Sequence, residues 1–102
     1  MKSITNEIGF KEIIIVDDCD FEVFYHCAEN LRKLLGIAYT NQVHDFDSIY
    51  WEFDFMGSKL ILHYNVFLGI SIYSQKGKDI SPEDNKILDE IYELIKDSNI
   101  IP

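Results

Sequence analysis

The sequence predicts an α+β fold: two layers, a mainly antiparallel sheet in the order β-α-β-β-β-α, with two helices packed on one face. Residues 48–74 alternate apolar and polar side chains with the period of half-buried strands. The run Ile13-Ile14-Ile15-Val16 is unbroken and β-branched, as in a buried strand. Two further segments, opening near Asp20 and Ser81, space their apolar residues as amphipathic helices do. One strongly apolar sheet face and two apolar helix stripes close into a single two-layer core. A chain of 102 residues can bury such a core without a metal or disulfide, so one domain over 1–102 is expected.

Taken in order, Met1 to Gly9 carry no strong signal, and Phe10 to Val16 form the first expected strand. In Asp17-Asp18-Cys19-Asp20, Asp18 or Asp20 can cap a helix running to Leu35. Phe21, Phe24, Ala28, Leu31 and Leu35 are its stripe, and Glu22 with His26 and Glu29 with Lys33 stand on the opposite face. Gly36 is its C′ stop, with Ile37 folding back on Leu31. Between Ile37 and Asp47 the pattern weakens, and Ala38-Tyr39-Thr40 is a short strand or a connection.

Ile49, Trp51, Phe53 and Phe55 then face the core from the next strand. A type II′ turn at Gly57-Ser58 pairs Phe55 with Leu60, Phe53 with Leu62 and Trp51 with Tyr64. It also sets Glu52 opposite His63 and Asp54 opposite Ile61 on the outer face. A three-residue turn through Asn65-Val66-Phe67, with Asn65 or a neighbour at positive φ, brings Leu68, Ile70 and Ile72 to the core. After a polar loop, Ser81 caps the second helix, Pro82 takes its first position and Glu83 and Asp84 its first turn. Ile87, Leu88, Ile91, Leu94 and Ile95 are its stripe, Asn99 its C′ residue, and Ile100 reaches back to Ile95 before Pro102.

Composition narrows function. Eighteen acidic against nine basic residues give a formal charge of −9, with Arg32 the single arginine. Phosphate neutralisation needs a basic stripe, so direct nucleic-acid binding is not expected, nor is binding to an anionic membrane. The same charge favours a basic protein partner by steering encounter, or else serves solubility. Cys19 and Cys27 read as free thiols in a reducing cytoplasm. No secretory signal or membrane-spanning run is seen.

No catalytic signature stands out. Asp18-Cys19-Asp20 after a strand has the spacing of Mg²⁺-binding phosphatase aspartates. Phe21 and Glu22 replace the small residues expected there, so capping is preferred and no metal or cofactor is expected. His63 facing Glu52 has the form of an oriented general base, but no nucleophile or oxyanion site accompanies it. His26 and His44 lack zinc-ligand spacing with the cysteines. The outer face, with Tyr50, His63, Asn65, Phe67 and Tyr73 beside Glu52 and Asp54, has the composition of a protein-binding surface able to hold Arg or Lys.

Trp51-Glu52-Phe53-Asp54-Phe55, Gly57 and Leu60-Ile61-Leu62-His63-Tyr64, leading into Leu68-Gly69-Ile70-Ser71-Ile72-Tyr73, carry a family likeness. In these residues, and in size, charge and architecture, the chain resembles the small acidic immunity proteins of bacterial contact-dependent growth inhibition and related polymorphic toxins. The resemblance implies a cytoplasmic, non-enzymatic inhibitor that occludes a cognate toxin, a basic nuclease in many such systems. It implies Asp45, Asp47, Glu52 and Asp54 as binding acids, Tyr50, His63 and Tyr73 as neighbouring contacts, and Asp17, Asp18 and Asp20 as a second acidic patch. An adaptor or regulatory module using the same face is the alternative, and a small hydrolase or ligand-binding domain the third. An immunity gene should lie directly downstream of a toxin reading frame, which an adaptor gene need not.

Overall fold

A computed structural model describes residues 2–5, 11–98 and 100. Its elements are β1 (Lys2–Thr5), β2 (Lys11–Val16), α1 (Phe21–Leu35), β3 (Tyr39–His44), β4 (Ser48–Phe55), β5 (Ser58–Asn65), β6 (Gly69–Ser74), a 3₁₀ turn (Gly77–Asp79) and α2 (Pro82–Ile95). The six strands form one sheet in the order β1-β2-β6-β5-β4-β3, antiparallel at every pairing. The α+β class and the order β-α-β-β-β-α hold, and β1 and β3 add an edge strand at each side. β1 falls in the stretch that carries no sequence signal, and β3 in the stretch that reads equally as a connection.

Local chemistry sets both helices. Asp20 has extended backbone and its carboxylate accepts the Val23 N–H at 3.1 Å, so Asp20 is the cap of α1. Gly36 adopts φ +66°, and the N–H groups of Gly36 and Ile37 both donate to the Arg32 carbonyl. Ser81 Oγ accepts the Asp84 N–H at 3.2 Å, with Pro82 opening α2. Asn99 and Pro102 lie outside the described residues. Phe24, Cys27, Ala28 and Leu31 of α1 and Leu88, Ile91 and Ile95 of α2 are buried in one core with Ile13, Ile15, Ile49, Phe53, Leu60, Leu62, Tyr64, Ile70 and Ile72 of the sheet. Ile100 joins that core. Leu94, expected in the α2 stripe, is exposed, and Phe21 is half exposed with its ring 5.0 Å from Tyr64. Trp51 is only half-buried, packed by Phe24, Tyr25 and Tyr39.

Two turns differ from expectation. The β4–β5 turn is Met56-Gly57, with φ +52° and +86°, so both central residues are left-handed as a type I′ turn requires. The pairs are therefore Phe53 with Leu60, Trp51 with Leu62 and Ile49 with Tyr64, and Phe55 lies opposite Ser58. A slip of two residues keeps every side chain on its face, so the core survives the change. On the other face it sets Tyr50 opposite His63, Glu52 opposite Ile61 and Asp54 opposite Lys59. The β5–β6 loop is Val66-Phe67-Leu68, and Gly69, not Asn65, supplies the positive φ of +83°. Leu68 consequently leaves the core for the loop.

At Gly69 a Cβ would stand 1.9 Å from the Val16 carbonyl oxygen, because β2 joins β6 there across an irregular step between Ile14 and Val16. Asp84 ties the opposite end together. Its buried carboxylate accepts the Ser58 hydroxyl at 2.6 Å and pairs with Lys76 Nζ at 3.1 Å.

Gly69→Ala should destabilise the fold by about 3 kcal/mol or more in urea unfolding, since backbone strain and a backbone clash coincide. Asp84→Asn should cost about 1–3 kcal/mol. The Ser58 hydrogen bond, aided by Lys76 and Ser81 against the opposing effect of burial, holds the Asp84 carboxyl below its usual value. Its contribution is thus present above the unfolded Asp value of about 3.9 and lost as pH falls through the lower folded value. The Asn variant should lack that part of the acid slope.

Candidate functional site

The outer face of the sheet is built by strand alternation, since each residue whose neighbours face the core points the other way. One row across it runs Ile14, Ser71, His63, Tyr50 and Val43, and the next runs Glu12, Tyr73, Ile61, Glu52 and Asn41. His63 stacks on Tyr50 with ring centres 4.5 Å apart and planes at 8°. Tyr73 meets His63 edge-on at 5.7 Å. Glu52 accepts the Asn41 side-chain N–H at 2.7 Å, and Asp54 lies 3.7 Å from Lys59 Nζ.

The expected Glu52–His63 dyad is not assembled, because the register places Ile61 opposite Glu52 and Tyr50 opposite His63. Burial pushes the His63 imidazole below its usual value, against the pull of the Asp47 carboxylate. Its Nε2 is out of solvent and finds no hydrogen-bond partner among the described residues. Burial also drives the Tyr73 hydroxyl up to about 12, with Tyr50 and Glu12 adding to it. Burial raises Glu12, which Ser71 partly offsets with a hydrogen bond. The face therefore presents neutral rings fenced by Glu12, Glu52 and Asp54, able to stack on a guanidinium or ammonium group, and among the described residues His63 has no carboxylate hydrogen-bonded to it. Glu12 escaped the sequence reading because only the β2–β6 register brings it beside Tyr73.

The remaining candidate acids, Asp17, Asp18, Asp20, Asp45 and Asp47, lie in loops at one end of the sheet. Val16 lies opposite Ile70, and Ser48 opposite Asn65, so segments 17–20, 45–47 and 66–68 emerge side by side. Direct bonds hold them there. The Val66 N–H donates to the Asp47 carbonyl at 3.1 Å, and the Tyr64 hydroxyl to the Cys19 carbonyl at 2.9 Å. Asp45 and Asp47 thus join Asp17, Asp18 and Asp20 in one region, where sequence reading had two patches. Asp47, the nearest of them to His63 in its electrostatic effect, links this end to the outer face.

The profile of a family described as "Protein of unknown function (DUF3630)" matches residues 1–85. The chain belongs to the DUF3630 family. No curated protein and no solved structure matches it. The matched stretch of this DUF3630 protein contains all six strands, α1 and every candidate residue named above.

Other regions offer less chemistry. A cleft of about 480 Å³ between the β4–β5 turn and the start of α2 is lined by Met56, Ser58, Lys76 and Asp84, whose polar groups already bind one another. Among the described residues, no three His, Cys, Asp or Glu side chains gather in a way that can hold a metal ion. Cys27 is buried with its thiol pushed up to about 12 by burial, and Cys19 is half-buried; both are free. Among the described residues no helix is long and apolar enough to cross a membrane.

Because the folded His63 value lies below the unfolded one, the unfolded chain binds the extra proton first. Stability should fall as pH drops below about 6.5, the unfolded His value, and level off beneath the folded value. Urea unfolding across this range should show that slope, and His63→Gln should flatten it. An unchanged slope in the variant would assign the effect elsewhere.

Proposed function

We propose that this protein is an immunity-type inhibitor that binds and neutralises a cognate basic protein toxin, a nuclease being the best chemical fit, in the cytoplasm. The observation that carries this reading is the outer sheet face, where the Tyr50–His63–Tyr73 ring cluster stands among Glu12, Glu52 and Asp54 on a chain of charge −9. Such a surface meets Arg and Lys side chains with both rings and carboxylates. A stoichiometric inhibitor needs affinity and fast encounter, not turnover, and a net charge of −9 favours encounter with a basic partner. The small-hydrolase reading leaned on a Glu52–His63 pair, and it loses that support with the register.

The test uses the full chain as bait in its native cell at low and high salt. One basic protein should be retained in equal stoichiometry and released more readily at high salt. The double variant Glu52→Lys, Asp54→Lys should slow association by about tenfold and flatten its salt dependence, as loss of steering charge does. Unchanged association rate and salt slope would refute a role for this face, and recovery of no partner would count against the inhibitor reading itself.

A further inference from the structure

The end of the sheet that gathers the acids also displays apolar side chains that the core does not use. Phe46 is 102 % exposed, Phe67 79 % and Leu68 68 %. They are not loose. Asn65 grips the β5–β6 loop, its side-chain oxygen accepting the N–H groups of Phe67 at 2.8 Å and Leu68 at 3.1 Å. Phe46 is held between two further bonds, from the Asp45 N–H to the Ser48 carbonyl and from the Val66 N–H to the Asp47 carbonyl. Large apolar side chains left in water on neighbouring loops gain nothing for the fold, and the hydrogen-bonded backbone beneath them is already ordered when a partner covers them.

Charge decides the kind of partner. No Lys or Arg occurs between Lys11 and Arg32, between Lys33 and Lys59, or between Lys59 and Lys76. All three loops therefore lie in stretches with no cation of their own, and Asp18 and Asp45 stand exposed on two of them. Apolar anchors inside a one-sign charged rim match a basic surface with apolar recesses. An anionic membrane or a second copy of this chain would bring negative charge against negative charge.

We infer that the end of the sheet formed by loops 17–20, 45–47 and 66–68 is the docking surface for a basic protein, with Phe46, Phe67 and Leu68 entering its apolar recesses and the surrounding aspartates meeting its lysines and arginines. This rests on the inhibitor reading and locates its anchor. The outer face steers the partner, and the loop tips hold it.

Photo-crosslinking in the native cell tests the placement, with the full chain carrying either Phe67→p-benzoylphenylalanine or, at the opposite end of the sheet, Met56→p-benzoylphenylalanine. Both positions are exposed, so the urea midpoint of each variant should match the wild type. The Phe67 variant should crosslink one protein rich in Lys and Arg, and the Met56 variant should not. Adding Asp18→Lys and Asp45→Lys, one from each acidic loop, should cut the Phe67 yield by about tenfold or more. Crosslinks from Met56 alone, or equally from both positions, would overturn the inference and leave the inhibitor reading standing. A product formed with lipid, with a second copy of the chain, or with many unrelated proteins at unchanged yield in the lysine variants would overturn it as well. Crosslinks from neither position would overturn both.

Discussion

The seam between β5 and β6 is the constraint on which the rest depends. Leu60, Leu62 and Tyr64 face the core opposite Ser74, Ile72 and Ile70, so the seam supplies the centre of the floor on which the helices rest. β2 reaches that floor only because Gly69 has no side chain where the Val16 carbonyl approaches. The crossing of β2 beside β6 in turn starts α1 at Asp20, where the Cys19 carbonyl receives the Tyr64 hydroxyl. Sheet, first helix and acidic loop are therefore set by one close approach.

The same seam separates two ends of different character. At one, Ser58, Lys76, Ser81 and Asp84 satisfy one another and lock the β4–β5 turn to α2. Polar groups there are spent on the fold. At the other, backbone and Asn65 bonds order the loops while the side chains of Phe46 and Phe67 meet solvent. An inhibitor of the kind proposed requires that division, because a surface preorganised without being consumed can be covered by a partner at small entropic cost.

Much of the fold was legible in the sequence where local chemistry decides it. The Asp20, Gly36 and Ser81-Pro82 signals fixed both helices, and strand alternation assigned the faces of Phe53, Leu60, Leu62 and Ile72 correctly. Register was not legible, because a two-residue slip preserves every face and Met56 gives no hint of left-handed backbone. Leu68 looked like core by alternation, and it lost that place to a loop whose turn glycine is Gly69. β3, with Thr40, Asn41 and Gln42, shows no apolar alternation because an edge strand can be solvated on both faces. Of the candidate site, the acids and rings were visible as residue types. Their assembly was not: Asp18 and Asp45 reach the same end of the sheet only through the pairing of Val16 with Ile70 and of Ser48 with Asn65.

The proposed role of this chain is to restrain a harmful basic protein. It is tested most directly by expressing the reading frame immediately upstream of this gene in a heterologous host, alone and together with this chain, and following growth. The upstream product alone should arrest growth, and growth should be normal when the chain is co-expressed. Absence of arrest, or arrest that the chain does not relieve, would contradict it.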